Sequence, residues 1–372
     1  MTDNAILRPG GSERFLRNLL ERLPADRYEI EVVQLSALPP EAERVAEMES
    51  LSVRLIYRPI DASYGWRGLA TLRFLRRRVR RRRYDIVQSQ HEKSDLISAM
   101  LPRVQGLHRI SNRRDMGFQK SARVRLLFRY INHRFHRIVA PTASILDALV
   151  AEENVNPKLC RKIANGVDAQ RFRPADRERR ERLRTELGFA ADKQLIGCVA
   201  SFTPVKRHAD LLAAFAQACR NHSRAHLLLI GEGPLRAEIE AQIEALDLAS
   251  RVHLLGARSD VENILPALDI FALVSSTEGM SNAILEALAC GVAVVATSVG
   301  GNPDLVESNR NGLLVPALAP DALAAALNQL LGEPQRMTAM GVAARACVER
   351  EYSLDAMVAA YEALYRGLAN AG

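Results

Sequence analysis

Residues Asp269 to Gly291 read D-I-F-A-L-V-S-S-T-E-G-M-S-N-A-I-L-E-A-L-A-C-G, and the fold is decided there. Ile270 to Val274 is an apolar run of the length of one buried strand. Ser275 to Gly279 is a polar loop. A helix opens near Ser281 and stops at Gly291, a residue that accepts the left-handed turn at a helix end. Inside it Ile284, Leu285 and Leu288 recur at helical spacing and aim one face at a sheet. Two carboxylates remain, Glu278 in the loop and Glu286 in the second turn. The start of a helix that leaves a parallel sheet favours a phosphate, through its free N–H groups and its macrodipole. Gly279, Met280, Ser281 and Asn282 supply that start. A carboxylate beside a phosphate suits sugar hydroxyls, because it accepts two hydrogen bonds from a vicinal diol. One short stretch can thus seat a diphosphate between a ribose and a second sugar.

The same strand–helix alternation runs outward in both directions. Gln194–Ala200, Leu227–Ile230, Val252–Leu255 and Val292–Thr297 read as strands, as do Tyr28–Leu35, Val53–Tyr57, Asp85–Ser89, Leu107–Ile110 and Ile138–Ala140. Alternation in two halves predicts α/β architecture with a doubly wound parallel sheet in each half. At 372 residues, two domains each have enough chain for a core. The polar, arginine-rich Pro174–Arg184 stretch separates the halves. Weak spots are also visible. Ala5-Ile6-Leu7 is the only candidate for a first strand, shorter than the usual ~5–6 residues. Asp3 and Asn4 fit poorly in a central strand. The first strand is therefore stunted, or the true start lies upstream of Met1.

The pattern Glu278-x7-Glu286, followed by G-V-A-V-V-A-T-S-V-G-G from Gly291 to Gly301, resembles the donor site of retaining glycosyltransferases of the GT-B fold. It is most similar to family 4 of the nucleotide-sugar-dependent enzymes. The likeness continues through N-G-V-D (Asn165–Asp168), S-F-T-P-V-K-R-H (Ser201–His208), I-G-E-G-P-L (Ile230–Leu235) and N-G-L-L-V-P (Asn311–Pro316). The resemblance implies two Rossmann-like domains facing each other across a cleft. Residues 1–165 would bind the acceptor, completed by a C-terminal helix over about 355–372, and residues 166–354 would bind the nucleotide sugar. It implies a sugar moved with retention of configuration onto a hydroxyl of a glycan or lipid-linked acceptor, in cell-surface polysaccharide or glycolipid synthesis. A nucleotide-sugar epimerase or hydrolase, or a non-catalytic sugar-nucleotide-binding subunit, stands as the alternative.

Under this resemblance Glu286 binds the ribose diol, Glu278 positions the transferred sugar and Lys206 grips the diphosphate. The partner arginine expected five residues before Lys206 is Ser201 here, which leaves Arg207 or Arg114 to replace it. Arg258 falls on the base-binding edge. Arg114-Asp115 stands where many members carry a cleft histidine, so both are catalytic candidates. Gly10, Gly11 and Ser12 open a helix after the first strand and are cleft candidates. His91, at the end of a strand, is either a fourth or a surface loop histidine. No D-x-D pair occurs, so neither metal nor cofactor is expected and the leaving diphosphate must be neutralised by protein. I-G-E-G-P brushes the dinucleotide fingerprint, but Arg236 stands where its third glycine belongs, which excludes NAD.

Charge is unevenly placed. Residues 1–175 hold 33 Lys and Arg against 19 Asp and Glu; the rest of the chain holds 18 against 24. Eight arginines crowd the eleven positions from Arg73 to Arg83. Such a helix is a solvated end, an anionic membrane surface contact or a nucleic-acid contact. Thin aromatic interleaving argues against nucleic acid. Five scattered cysteines without a C-x-x-C pair, and a start without a signal-peptide pattern, suggest a reducing cytoplasm, with peripheral attachment to the inner face of the cell membrane.

Overall fold

The computed structural model describes residues 1–4, 11–40, 42–60, 65–114 and 120–370. They divide into two compact units, Met1–Gly166 with Leu354–Gly372, and Val167–Ser353.

The second unit is one six-stranded parallel sheet. Its strands are β7 (Gln194–Val199), β8 (Ala225–Ile230), β9 (Val252–Gly256), β10 (Ile270–Leu273), β11 (Ala293–Thr297) and β12 (Gly312–Val315). The order across the sheet is β12-β11-β10-β7-β8-β9. The fourth strand of the unit therefore lies beside the first, with Ile270 opposite Ile196 and Phe271 opposite Gly197. This is the doubly wound order, whose direction reverses between the first and fourth strands. Helices cover both faces, so the central strands are apolar on both sides; every residue of β10 and β11 is buried.

The first unit is less continuous. Its strands β1 (Ile30–Gln34) and β2 (Val53–Tyr57) form one parallel pair. A second sheet runs β3 (Ile86–Gln90), β4 (His108–Asn112), β5 (Arg137–Ala140) and β6 (Cys160–Lys162) in that order. Thr2 lies between the two, bridging Gln34 on one side and Gln90 on the other. The strand expected over Ala5–Leu7 lies outside the described residues. Asp3 is used differently, its carboxylate accepting the N–H groups of Lys93 and Ser94 at 2.7 Å each, at the start of helix Glu92–Ala99. The last helix, Leu354–Ala369, packs in this unit, with Tyr361 against Phe15 (5.4 Å between ring centres) and Tyr365 against Tyr28 (6.1 Å).

All five cysteines are free thiols; Cys198 and Cys290 are buried and the other three partly so. Among the described residues no helix is long and apolar enough to cross a membrane.

Candidate active site

The reversal of winding in the second unit places two loops side by side, one after β7 and one after β10. The first is drawn tight by backbone contacts. Phe202 donates to the Glu232 carbonyl (2.9 Å) and accepts from Leu235 N–H (3.1 Å). Gly231 allows this approach: its φ is +152°, and a Cβ there would stand 2.0 Å from the Ala200 carbonyl oxygen. The loop then makes one 3₁₀ turn, Pro204–Lys206, which delivers Lys206. Ser276 N–H donates to the Val205 carbonyl at 2.8 Å and ties this loop to the one after β10.

Lys206 and Glu278 meet there. Lys206 Nζ lies 2.5 Å from Glu278 Oε1, and Ser275 Oγ donates to the same oxygen at 2.5 Å. Both charged side chains are largely shielded, 23% and 10% exposed, so the pair is little screened by water. Thr297 Oγ1 donates to the Ser275 carbonyl at 2.7 Å. Behind Glu278 runs the Gly300-Gly301 turn. Gly300 has φ +51°, and a Cβ on it would lie 1.7 Å from the Glu278 carbonyl oxygen. A glycine is required at that position, and it fixes where the Glu278 backbone sits.

Ser281 caps the helix Asn282–Ala289, its hydroxyl accepting Ile284 N–H at 3.2 Å. The helix ends on Cys290, and Gly291 has φ +69°. Glu286 is 6% exposed inside this helix, beside Cys290, whose thiol burial and the Glu286 charge push well above its ordinary value. Cys198, near Lys206 and Glu278, is likewise pushed up to about 12, chiefly by burial. Neither thiol is a nucleophile in this state.

Other candidates are placed elsewhere. Arg207 adopts φ +51° and gives both ends of its guanidinium to Asp210, at 2.9 and 2.8 Å. An acid in the first turn of the next helix outcompetes any more distant partner. Arg258 pairs in the same bidentate way with Asp260, at 2.7 and 2.6 Å. Arg114 belongs to the first unit, where its guanidinium stacks 3.6 Å from the Phe15 ring centre and bonds Asn165 Oδ1 and, at 3.4 Å, Asn112 Oδ1. Burial pushes its pKa down to about 10. These three arginines are therefore engaged by partners within their own neighbourhoods. The loop after β3 brings His91 Nε2 within 3.4 Å of Asn4 Nδ2, with His91 in a positive-φ conformation (+71°). Gly11 and Ser12 begin the helix Gly11–Arg22. Gly10 and Asp115 lie outside the described residues.

Two residues carry weight that periodicity does not signal. Ser275 holds Glu278, and a serine three residues before a loop acid at a strand's end is its only trace in the sequence. His208 is 2% exposed, packed on Phe202 (4.9 Å), and burial next to Lys206 pulls its pKa down to about 4. It stays neutral and braces the lysine loop.

Known proteins match both units. The model described as "Glycosyl transferases group 1" matches residues 179–346, and that described as "Glycosyltransferase Family 4" matches residues 9–171. A GDP-mannose-dependent alpha-(1-6)-phosphatidylinositol monomannoside mannosyltransferase of Mycolicibacterium smegmatis is 32% identical over 289 residues, 74% of this chain and 68% of the relative. A GDP-mannose-dependent monoacylated alpha-(1-6)-phosphatidylinositol monomannoside mannosyltransferase of Corynebacterium glutamicum is 37% identical over 204 residues, 52% of this chain and 53% of the relative. For most of these curated relatives the match spans about half their length. In three dimensions the chain is similar to Anabaena Alr3699/HepE in complex with UDP, with TM-score 0.85, 20% identity and 98% of each chain covered. A sucrose-phosphate synthase of Thermosynechococcus elongatus gives TM-score 0.82 at 20% identity, covering 100% and 99%. The fold is GT-B, and the chain belongs to family 4 of the glycosyltransferases, the group 1 glycosyl transferases.

Proposed function

We propose that the chain transfers a sugar, with retention of anomeric configuration, from a nucleotide-diphosphate sugar to a hydroxyl of a glycan or lipid-linked acceptor in cell-surface polysaccharide or glycolipid synthesis. The observation that carries this reading is the Lys206–Glu278 pair, 2.5 Å apart where the winding of the sheet reverses. That is where open α/β sheets take ligands. Glu278 is held in place by Lys206 and Ser275, as an acceptor for hydroxyls of the transferred sugar. Lys206 then faces the diphosphate as charge builds on the leaving oxygen, helped by the amides that open helix Asn282–Ala289. Glu286 takes the ribose diol. Lys206 is the principal cation of this reading because its acid partner, Glu278, belongs to the same site, whereas Arg207 and Arg258 pair with Asp210 and Asp260; no metal ion enters it.

The relatives' names support a lipid-linked acceptor, since two of them act on phosphatidylinositol mannosides, and the UDP complex supports a nucleotide donor. The basic helix Trp66–Arg81 supports work at a membrane surface, on its cytoplasmic side. Arg78 and Arg82 bind Glu31, but Arg73, Arg77, Arg80, Arg81 and Arg83 make no ion pair among the described residues. Trp66 and Leu69 of the same helix are exposed.

Thermal-shift titration with UDP-, GDP- and ADP-sugars tests the donor assignment first. One class should raise the midpoint, and Glu286→Ala should weaken it by ~1.5–3 kcal/mol, the worth of hydrogen bonds to a charged acceptor. Glu278→Ala should depress turnover more than affinity. Binding by none of the three, or unchanged turnover with both acids replaced, would dispose of the reading. Neutralising Arg77, Arg80, Arg81 and Arg83 should abolish salt-sensitive binding to anionic vesicles; binding that survives the change refutes the membrane assignment.

A further inference from the structure

The helix Asn282–Ala289, which carries Glu286, is eight residues long, about two turns. A helix that short has little stability of its own and takes its position from what holds its ends. Ser281 caps its start. At its end the last four carbonyls need partners beyond the helix. Cys290 N–H donates to Glu286 C=O (3.1 Å), Val292 N–H to Ala287 C=O (3.1 Å) and Gly291 N–H to Leu288 C=O (3.0 Å). The last two bonds are the paired closure that a left-handed Gly291 permits. That closure leaves Ala289 C=O, and a side chain takes it. Arg345 Nη1 donates to Ala289 C=O at 2.9 Å. The same nitrogen reaches Ala169 C=O (3.1 Å) and Phe172 C=O (2.9 Å), while Arg345 Nε donates to Glu349 at 2.7 Å.

Arg345 stands on the helix Pro334–Cys347. Gly341, one turn earlier and on the same face, meets the same helix end: a Cβ on Gly341 would lie 2.2 Å from the Gly291 carbonyl oxygen. Backbone contact at Gly341 brings the two helices together, and the guanidinium ties the end of one to the segment 169–172. The Arg345 side chain is 20% exposed, so water competes weakly for these carbonyls. A cation here also complements the negative end of the helix dipole, opposite the end that Ser281 caps. Glu286 lies within one turn of this anchor and is buried. Packed so, its side chain moves with the helix that bears it.

We propose that Arg345 is a positioning residue of the donor site: by anchoring the end of helix Asn282–Ala289 it sets Glu286 against the ribose diol. It acts through Glu286 and not on the nucleotide sugar. The role of Glu286 rests on the transfer reading; the anchoring does not.

The test compares Arg345→Met, Arg345→Lys and Glu349→Gln in the full chain, by calorimetric titration with UDP, GDP and ADP and by amide exchange. Arg345→Met should weaken the nucleoside diphosphate that binds by about tenfold, the worth of one hydrogen bond with a charged partner. Donor KM should rise alike, with kcat changed by about twofold at most. Arg345→Lys should recover most of the loss, because an ammonium brings three donors to three carbonyls. Glu349→Gln leaves those bonds in place and should bind as the unmodified chain does. Exchange at Cys290 and Val292 should quicken by about tenfold or more in Arg345→Met, with Ile110 in β4 unchanged. In a Glu286→Ala background Arg345→Met should cost about twofold or less beyond Glu286→Ala alone, since residues that act as one are not additive. An arginine with only a structural part would lower the thermal midpoint without that coupling. If Arg345→Met does not fold, Gly341→Ala, which displaces the same helix end, takes its place. Three results would overturn the assignment: exchange unchanged at Cys290 and Val292, faster exchange with affinity intact, or full additivity with Glu286→Ala. An unmodified chain that binds none of the three nucleotides would remove the transfer reading and with it the role at Glu286, while the exchange comparison would still decide the anchoring.

Discussion

In the second unit six parallel strands run without interruption, and its central strands β10 and β11 are buried at every position. Among the described residues of the first unit six strands are split into two and four, on either side of Thr2. The two sheets use the same physics, yet the pairing in the second unit runs unbroken and that of the first is divided at Thr2 among the described residues. The difference separates the roles. On the proposed function a donor site at Lys206 and Glu278 needs atoms fixed closely, and an unbroken sheet under both loops suits that need. The divided sheet carries the arginine-rich helix Trp66–Arg81.

The largest expected effect strikes the rigid unit at its base. Asp269 accepts Arg180 and Arg184, each at 2.7 Å, and the Leu195 N–H at 2.7 Å. Asp269→Ala leaves the buried Arg184 without its counter-charge and should cost ~3–5 kcal/mol. The loss should appear in amide exchange of β7 and β10 and spare β4. Equal loss in β4 would show that the units unfold together and would break the comparison.

Next comes Gly300→Ala. The new Cβ cannot occupy a point 1.7 Å from the Glu278 carbonyl oxygen, so the Glu278 loop must shift. Misplacing a positioning group by about 1 Å costs on the order of 10² in rate. Turnover should fall by that factor while the melting of the first unit is unchanged. Full turnover would mean that Glu278 does not position the reacting sugar.

Much of this was readable in the sequence, and the limit is instructive. The stretch Asp269–Gly291 was legible because its signals are local: an apolar run, a serine cap, helical spacing and a glycine stop. The split of the first sheet was half legible. Ala5–Leu7 is too short for a central strand, but the pairing at Thr2 depends on partners 32 and 88 residues away. Arginine partners were the least legible. Arg207 has Asp210 three residues on, and Arg114 has Asn165 fifty-one residues on; a guanidinium takes whichever acceptor the fold brings first. Ser275 escaped notice because loop hydrogen bonds leave no period.

A smaller effect is set by pH in the second unit. His208 ordinarily titrates at 6.5 and is held down to about 4 by burial beside Lys206. Below pH 6.5 the unfolded chain takes up a proton that the folded chain refuses. Stability must therefore fall as pH drops from 6.5 towards 4, by ~2 kcal/mol at pH 5. His208→Leu should flatten that limb in a melting series. An unchanged limb would assign the acid sensitivity to another group.

The smallest effect belongs to the first unit and runs in a different pH window. The Met1 ammonium, ordinarily 8.0, is lowered to about 6 by burial, with Asp3 and Asp95 opposing. Between pH 6 and 8 the unfolded chain holds this proton while the folded chain has released it. Stability should then rise with pH across that interval, by ~1 kcal/mol from pH 6.5 to 7.5, and level off above 8. Acetylating the Met1 amine removes the titrating group and should erase this slope, while the His208 limb below pH 6.5 persists. A slope that survives acetylation would mean that the Met1 amine is not its source.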